Sequence, residues 1–243
     1  MITLIGTGHV FNLSQSILQV FDERQPEIVC VELDKQRYKA LLMRNTDPEA
    51  YHEARKHTPI IYRLLARFQD SMAKEYGVEA GDEMITAINY AQSHQLPVAF
   101  IDMNAQYMFS KMLRSMRFSE KIKLMLTGFT GFFISKKHVE KELDKFEDNF
   151  DEYIEQIGDK FPTIKRVLID DRNQHMVNQL EKASEEYEKV IAVIGDGHVP
   201  GISELLKSKD VEFETIRLSE LRKRTTEISD SSTASFSLEY KEA

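Results

Sequence analysis

The chain has 243 residues, with 32 Lys and Arg against 40 Asp and Glu and a formal net charge of −8. That balance argues against general nucleic-acid binding, which needs a basic face for phosphates, although it leaves room for a local basic patch. A hydrophobic share of 42% supplies a core for one large domain or two small ones.

In chain order, Ile2–Ile5 reads as a short buried strand running into a glycine turn, Gly6–Gly8. Met1–Val10 carries neither a basic leader nor a long apolar stretch, so a cytoplasmic protein is expected. Ser14 is placed to cap a helix with Ile17, Leu18 and Phe21 on its apolar face, ended by Pro26. Ile28–Leu33 (IVCVEL) is rich in β-branched residues and reads as a second strand. It contains the only cysteine, Cys30, read as a small buried apolar residue, so an internal disulfide and a cysteine-rich metal cluster are both excluded. Asp34 is expected to cap the next helix, which carries Tyr38, Leu41 and Leu42.

Pro48 to Gly77 holds helical patterns that include Ile60, Ile61, Leu64, Leu65 and Phe68. Gly81–His94 predicts a helix with Met84, Ile85, Ile88 and Ala91 on one face, and Pro97–Ile101 a strand. From Ala105 to about Tyr187 the pattern is almost wholly helical. Ile122–Ile134 is its most apolar run, but it includes Lys123 and falls short of the roughly 18 residues that cross a bilayer, so no transmembrane segment is expected. Val139–Ile157 is acidic and amphipathic, with Leu143, Phe146, Phe150 and Ile154 as its stripe. Gly158 and Pro162 break it, and Thr163–Tyr187 predicts one further helix. Val190–Ile194 reads as a strand, Gly201–Lys207 as a short helix and Val211–Leu218 as a last strand.

Strands alternating with helices predict an α/β fold: a mostly parallel sheet flanked by helices, formed by the two ends of the chain. Residues 1–224 are expected to form a single domain with a helical insertion over about 105–187, and 225–243 a flexible tail. The amphipathic helices between Phe118 and Ile157 exceed what a small core needs, so a symmetric homodimer is an expected way to bury them.

Two segments repeat one pattern, Leu4–Val10 (LIGTGHV) and Val193–Val199 (VIGDGHV). Each comes after an apolar strand and precedes a helix, so both turns belong on the edge of a parallel sheet where ligand crevices form. Gly6, Gly8, Gly195 and Gly197 permit tight turns and let a ligand approach the backbone. His9 and His198 supply imidazoles that bind first-row metals or move protons near neutral pH. If their strands are neighbours, the two rings share one site; the bland alternative is a pair of structural histidines closing similar turns. No Gly-Lys-Ser/Thr comes after GTGHV and the third glycine of the dinucleotide fingerprint is missing, which disfavours nucleotides.

Glu32 ends a buried strand, where a carboxylate must be paired or bound to a metal; the structural alternative is a salt bridge to a neighbour such as Arg37. Asp171 and His175 share a helix face, and the guanidinium fork of Arg172 suits a carboxylate or phosphate. Glu83 begins a helix after a glycine turn and is a further candidate, while His52, His57, His94 and His138 read as surface residues. Neither HExxH nor G-x-S-x-G occurs.

The ordered series GTGHV, PEIVCVELDKQRY, GDEMITAINYA, PVAFIDMNAQ, LIDDRNQHM and VIAVIGDGHVPGI resembles the TraB/PrgY group, which includes pheromone-shutdown proteins and is similar to the Tiki metalloproteases. The resemblance covers roughly residues 1–218 and implies a Tiki/TraB α/β fold in which two GxxH turns meet at one site. By that resemblance His9 and His198 match the GxxH histidines, Glu32 the acid of the VELD segment, and Arg172 the arginine of an acid–Arg–Asp/Asn motif, with Asp171 in place of glutamate. Asp102-Met103-Asn104 stands where the family often has Asp-Arg-Asp. Two functions are the main expectations. The first is a metal-dependent hydrolase, a peptidase by analogy with Tiki, with Mn²⁺, Co²⁺ or Zn²⁺ held by His9, His198 and Glu32, and Arg172 steadying the developing oxyanion. The second is a non-catalytic binder of a peptide or small ligand, with Leu124–Phe133 as an adaptable apolar surface. A third, similar to the erythromycin esterases, is metal-free hydrolysis with a histidine as general base.

Overall fold

A computed structural model describes residues 1–8, 13–47, 81–123 and 158–226. His9, the 48–77 patterns with His52 and His57, residues 124–157 with His138, and the tail beyond 226 lie outside the described residues. The chain forms two compact units, one of Met1–Asp102 with Met176–Ala243, the other of Met103–His175.

The first unit is built on five strands: β1 (Ile2–Thr7), β2 (Ile28–Val31), β3 (Val98–Phe100), β4 (Val190–Gly195) and β5 (Phe213–Ile216). They lie in the order β3-β2-β4-β1-β5, and every pairing is parallel. β4, from the far end of the chain, thus sits between β1 and β2, with Thr7 opposite Gly195 and Val31 opposite Val193.

Alternation along the strands sorts their side chains onto two buried faces. Ile5, Val29, Val31, Ile191 and Val193 pack against Ile17, Val20 and Phe21 of α1 (Ser14–Arg24) and Met84, Ala87, Ile88 and Ala91 of the helix at Asp82–Ser93. On the opposite face Ile2, Leu4, Cys30, Ala192 and Ile194 meet Met176, Val177 and Leu180, together with Val199, Ile202 and Leu206. Burying each of these large side chains contributes roughly 1.5–3 kcal/mol, so the central strand β4, buried from Val190 to Ile194, anchors the sheet. Burial pushes the Cys30 thiol up to about 12, and it is an inert core residue, as its run of β-branched neighbours predicts.

Several local expectations hold and several do not. Asp34 caps α2 (Lys35–Thr46) by accepting from the N–H groups of Gln36 and Arg37. Ser14 does not cap α1; Leu13 is the N-cap residue, and the Ser14 hydroxyl pairs with Thr86 on α3, the Asp82–Ser93 helix. Leu42 is 41% exposed rather than on the packed face of α2, which is held by Tyr38 and Leu41. β2 stops at Val31, which leaves Glu32 and Leu33 in the turn above the strand. Thr225 and Thr226 continue a helical stretch over 218–226, tied to α1 by Ser16, whose hydroxyl donates to Leu221 O and pairs with Thr225.

In the second unit lie α4 (Ala105–Ser115), a helical stretch over 118–123, and α5 (Pro162–Lys165). The single helix expected over Thr163–Tyr187 is interrupted: a π-helical turn, Arg166–Asp170, separates α5 from α6 (Asp171–Glu186). Such an inserted turn shifts the helical register of the residues C-terminal to it.

Glu120 holds this unit's connections. Its Oε2 accepts the Arg117 N–H at 2.9 Å and the Thr163 hydroxyl at 2.8 Å, and its Oε1 accepts the Thr163 N–H at 2.9 Å. Burial raises the carboxyl's pKa, but the hydrogen bonds from Thr163 and Arg117 and the Arg117 charge outweigh it and hold the group below its ordinary value. A depressed carboxyl stabilises the fold above the unfolded-state pKa and loses that contribution as pH falls through the lower folded value. Glu120→Gln is therefore expected to cost about 2 kcal/mol near pH 7. Denaturant titration of both proteins at pH 7 and near pH 3 checks this, and a gap that fails to narrow in acid contradicts it.

Candidate functional site

β1 and β4 are adjacent and parallel, so both end at the same edge of the sheet; Gly6 lies inside β1 rather than in the turn expected over Gly6–Gly8, and a 3-10 turn, Asp196–His198, follows β4. The helices after them part company. α1, after β1, packs on one face, whereas α7 (Val199–Ser208), after β4, packs on the other. Neighbouring parallel strands whose connections diverge in this way mark a topological switch point, where open α/β sheets form their ligand crevice.

Glu32 reaches this edge from β2. Its N–H donates to Val193 O at 3.0 Å, which sets its side chain beside the end of β4. Oε2 accepts the Gly195 N–H at 2.6 Å, and Oε1 stands 3.5 Å from Nε2 of His198. Glu32 and His198 are each 7% exposed. The neighbour that pairs with Glu32 is His198 and not Arg37, whose Nη1 donates to Oδ2 of buried Asp102 at 2.6 Å.

The donor chemistry of this pair is of a kind that a divalent metal accepts. Glu32 Oε1 and His198 Nε2 stand 3.5 Å apart, within ion-pair range. An imidazole and a carboxylate are the donors that Mn²⁺, Co²⁺ and Zn²⁺ accept. Among the described residues no three His, Cys, Asp or Glu side chains group as a metal shell, and His9, two residues beyond β1, lies outside them.

Gly6 and Gly195 answer to close approaches within the chain itself. A Cβ on Gly195 would lie 3.3 Å from Glu32 Oε2 and 3.9 Å from His198 Cδ2. One on Gly6 would lie 3.0 Å from Asp196 Cγ, closer still to Oδ1, and 3.1 Å from Val199 Cγ2. Asp196 is a residue that sequence reasoning passed over. It takes the position of Thr7 in the second copy of the motif, and its carboxylate is fixed by the Arg217 fork at 2.8 and 2.7 Å and by the Leu218 N–H at 2.9 Å. Thr7 instead donates its hydroxyl to Ile194 O at 3.2 Å, tying β1 to β4. The difference between the two copies, Thr against Asp, was the available signal.

A family model described as TraB/PrgY/gumN matches residues 1–215. The chain belongs to the TraB/PrgY/gumN family. It is 29% identical over 236 residues to an uncharacterized protein of Methanocaldococcus jannaschii, covering 92% of this chain and 58% of that protein. It is 23% identical to a TraB domain-containing protein of Mus musculus and 22% identical to one of Homo sapiens, each over 82% of this chain and 61% of the relative. The chain thus spans about three-fifths of the length of these curated relatives. The family match takes in both GxxH turns, Glu32 and the IDDRNQ segment.

Glu83, a further candidate, is buried in the first turn of α3, in the sheet-bearing unit. Asp171 and Arg172 open α6 in the other unit, directly after the π-helical turn; Asp171 is paired with Lys111 at 2.8 Å, and Arg172 Nη1 donates to Leu168 O at 3.3 Å. No helix among the described residues is long and apolar enough to cross a membrane.

Proposed function

We propose that this protein is a metal-dependent hydrolase, acting on peptides, whose metal is held by His198, Glu32 and His9. The observation that carries the reading is the buried Glu32–His198 pair, 3.5 Å apart beside the β1/β4 switch point. When bound, a divalent cation supplies Lewis acidity, making a water molecule acidic enough to serve as nucleophile near neutral pH. The chain's own part is positional. The Gly195 N–H holds Glu32 Oε2, so Oε1 faces the imidazole without free rotation. β1 and β4 end at one edge of the sheet, and burial of Glu32 and His198 lowers the local dielectric and strengthens their pull on a cation.

The test is cleavage. The purified full chain, incubated with a defined peptide pool, is expected to generate new termini by mass spectrometry. Cleavage is expected to stop with a chelator, return with Mn²⁺, Co²⁺ or Zn²⁺, and fall at least about a hundredfold in His198→Ala. Stoichiometric retention of peptides without cleavage contradicts the hydrolase reading in favour of a binder. Cleavage that survives chelation contradicts the metal and favours a histidine general base.

A further inference from the structure

Charge and apolar exposure are unevenly distributed along this acidic chain. Residues 105–137 hold seven of its 32 Lys and Arg but only one of its 40 acids, Glu120. Glu120 is the buried group that accepts from Thr163 and Arg117, so its charge is turned inward. Outward stand Arg114, Arg117, Lys121 and Lys123. Interleaved with them are Leu113 at 45%, Phe118 at 78% and Ile122 at 42% exposure, three of the seven exposed large apolar side chains among the described residues. Along α4 runs a shallow groove of about 460 Å³ whose lining includes Tyr107, Ser110, Lys111 and Arg114, two cations beside two hydroxyls. In the sequence, residues 124–134 then carry no charge, with Lys121 and Lys123 before them and Lys136 and Lys137 after.

We propose that the outer face of residues 107–123 is a docking surface for an anionic lipid bilayer. The cations meet acidic headgroups, and Leu113, Phe118 and Ile122 enter the acyl boundary between them. Lys111 in this groove is held by Asp171 at 2.8 Å, so the Arg114 guanidinium, with the Tyr107 and Ser110 hydroxyls, supplies the donors for one headgroup phosphate. A nucleic acid would use the same cations but leave Leu113 and Ile122 in water, so the interleaving favours lipid.

Sedimentation of the full chain with vesicles of phosphatidylcholine, alone or with phosphatidylserine, tests the proposal. Binding is expected only with phosphatidylserine, and is expected to weaken at least tenfold when salt is raised from about 0.1 to 0.5 M. Two variants, Phe118→Ser with Ile122→Ser and Arg114→Gln with Lys121→Gln, alter exposed side chains; each is expected to keep the wild-type melting curve and lose at least tenfold in vesicle binding. Equal binding to both vesicle types, no binding, or variants that bind as wild type overturn the proposal. So does a dimer in sizing without lipid that the Phe118/Ile122 variant converts to monomer, which assigns the face to a second copy. Oligonucleotide binding lost only in the charge variant assigns it to nucleic acid and likewise overturns it.

Discussion

Exchanging Glu32 for Gln is expected to reduce affinity for Mn²⁺, Co²⁺ or Zn²⁺ at least about a hundredfold, a larger loss than supporting residues around a metal ordinarily cause. The two side chains have the same shape, so packing at this buried position is kept. The amide oxygen still accepts the Gly195 N–H that Oε2 accepts at 2.6 Å. That leaves an NH₂ group facing His198 Nε2 where a carboxylate oxygen stood at 3.5 Å. The site then loses a negative charge in a low-dielectric setting and gains a donor that competes for the imidazole lone pair. Isothermal titration with each ion reads the effect, and thermal melting checks that the fold survives. Wild-type affinity in the variant contradicts a role for Glu32 in holding a cation.

Gly6→Ala is expected to destabilise the protein by about 3 kcal/mol or more, through overpacking rather than backbone strain. The added Cβ meets the Asp196 carboxylate and Val199 Cγ2 at 3.1 Å. Asp196 cannot swing aside cheaply, because Arg217 and the Leu218 N–H hold both of its oxygens. Nor does β1 have room to shift, since it is hydrogen-bonded to β4 on one side and β5 on the other. In a domain of this size the loss corresponds to a drop in melting temperature of ~6–12 °C. Removing the obstacle with Asp196→Ala in the same chain is expected to recover part of it, so that a double-mutant cycle gives a coupling of about 1 kcal/mol or more. A single variant within about 0.5 kcal/mol of wild type would show that the crowding at Gly6 is relieved some other way.

The sheet was legible because its cause is local. Val190–Ile194 and Ile28–Val31 are β-branched apolar runs, and buried parallel strands need little else to declare themselves. Asp34 was legible for the same reason, since a cap depends only on the residues just after it. Ser14 was not: its hydroxyl is claimed by Thr86, 72 positions away, and no local pattern encodes that competition. The π-helical turn at Arg166–Asp170 stayed hidden because an inserted residue leaves the apolar spacing of Met176, Val177 and Leu180 intact. At the site, the repeated GxxH turns and the buried acid of the VELD segment stood out in the sequence. The adjacency of β1 and β4, the partner of Glu32 and the grip on Asp196 depend on strand order, which residue spacing does not carry.

The proposed chemistry rests on one cation shared by His9 and His198, which come after neighbouring strands that lie far apart in sequence. Elemental analysis of freshly purified protein addresses it most directly, comparing the wild type with His9→Ala and His198→Ala. About one equivalent of Mn, Co or Zn per wild-type chain, and almost none in either variant, is the predicted result. A wild type that holds no divalent metal, or either variant that retains a full equivalent, contradicts it.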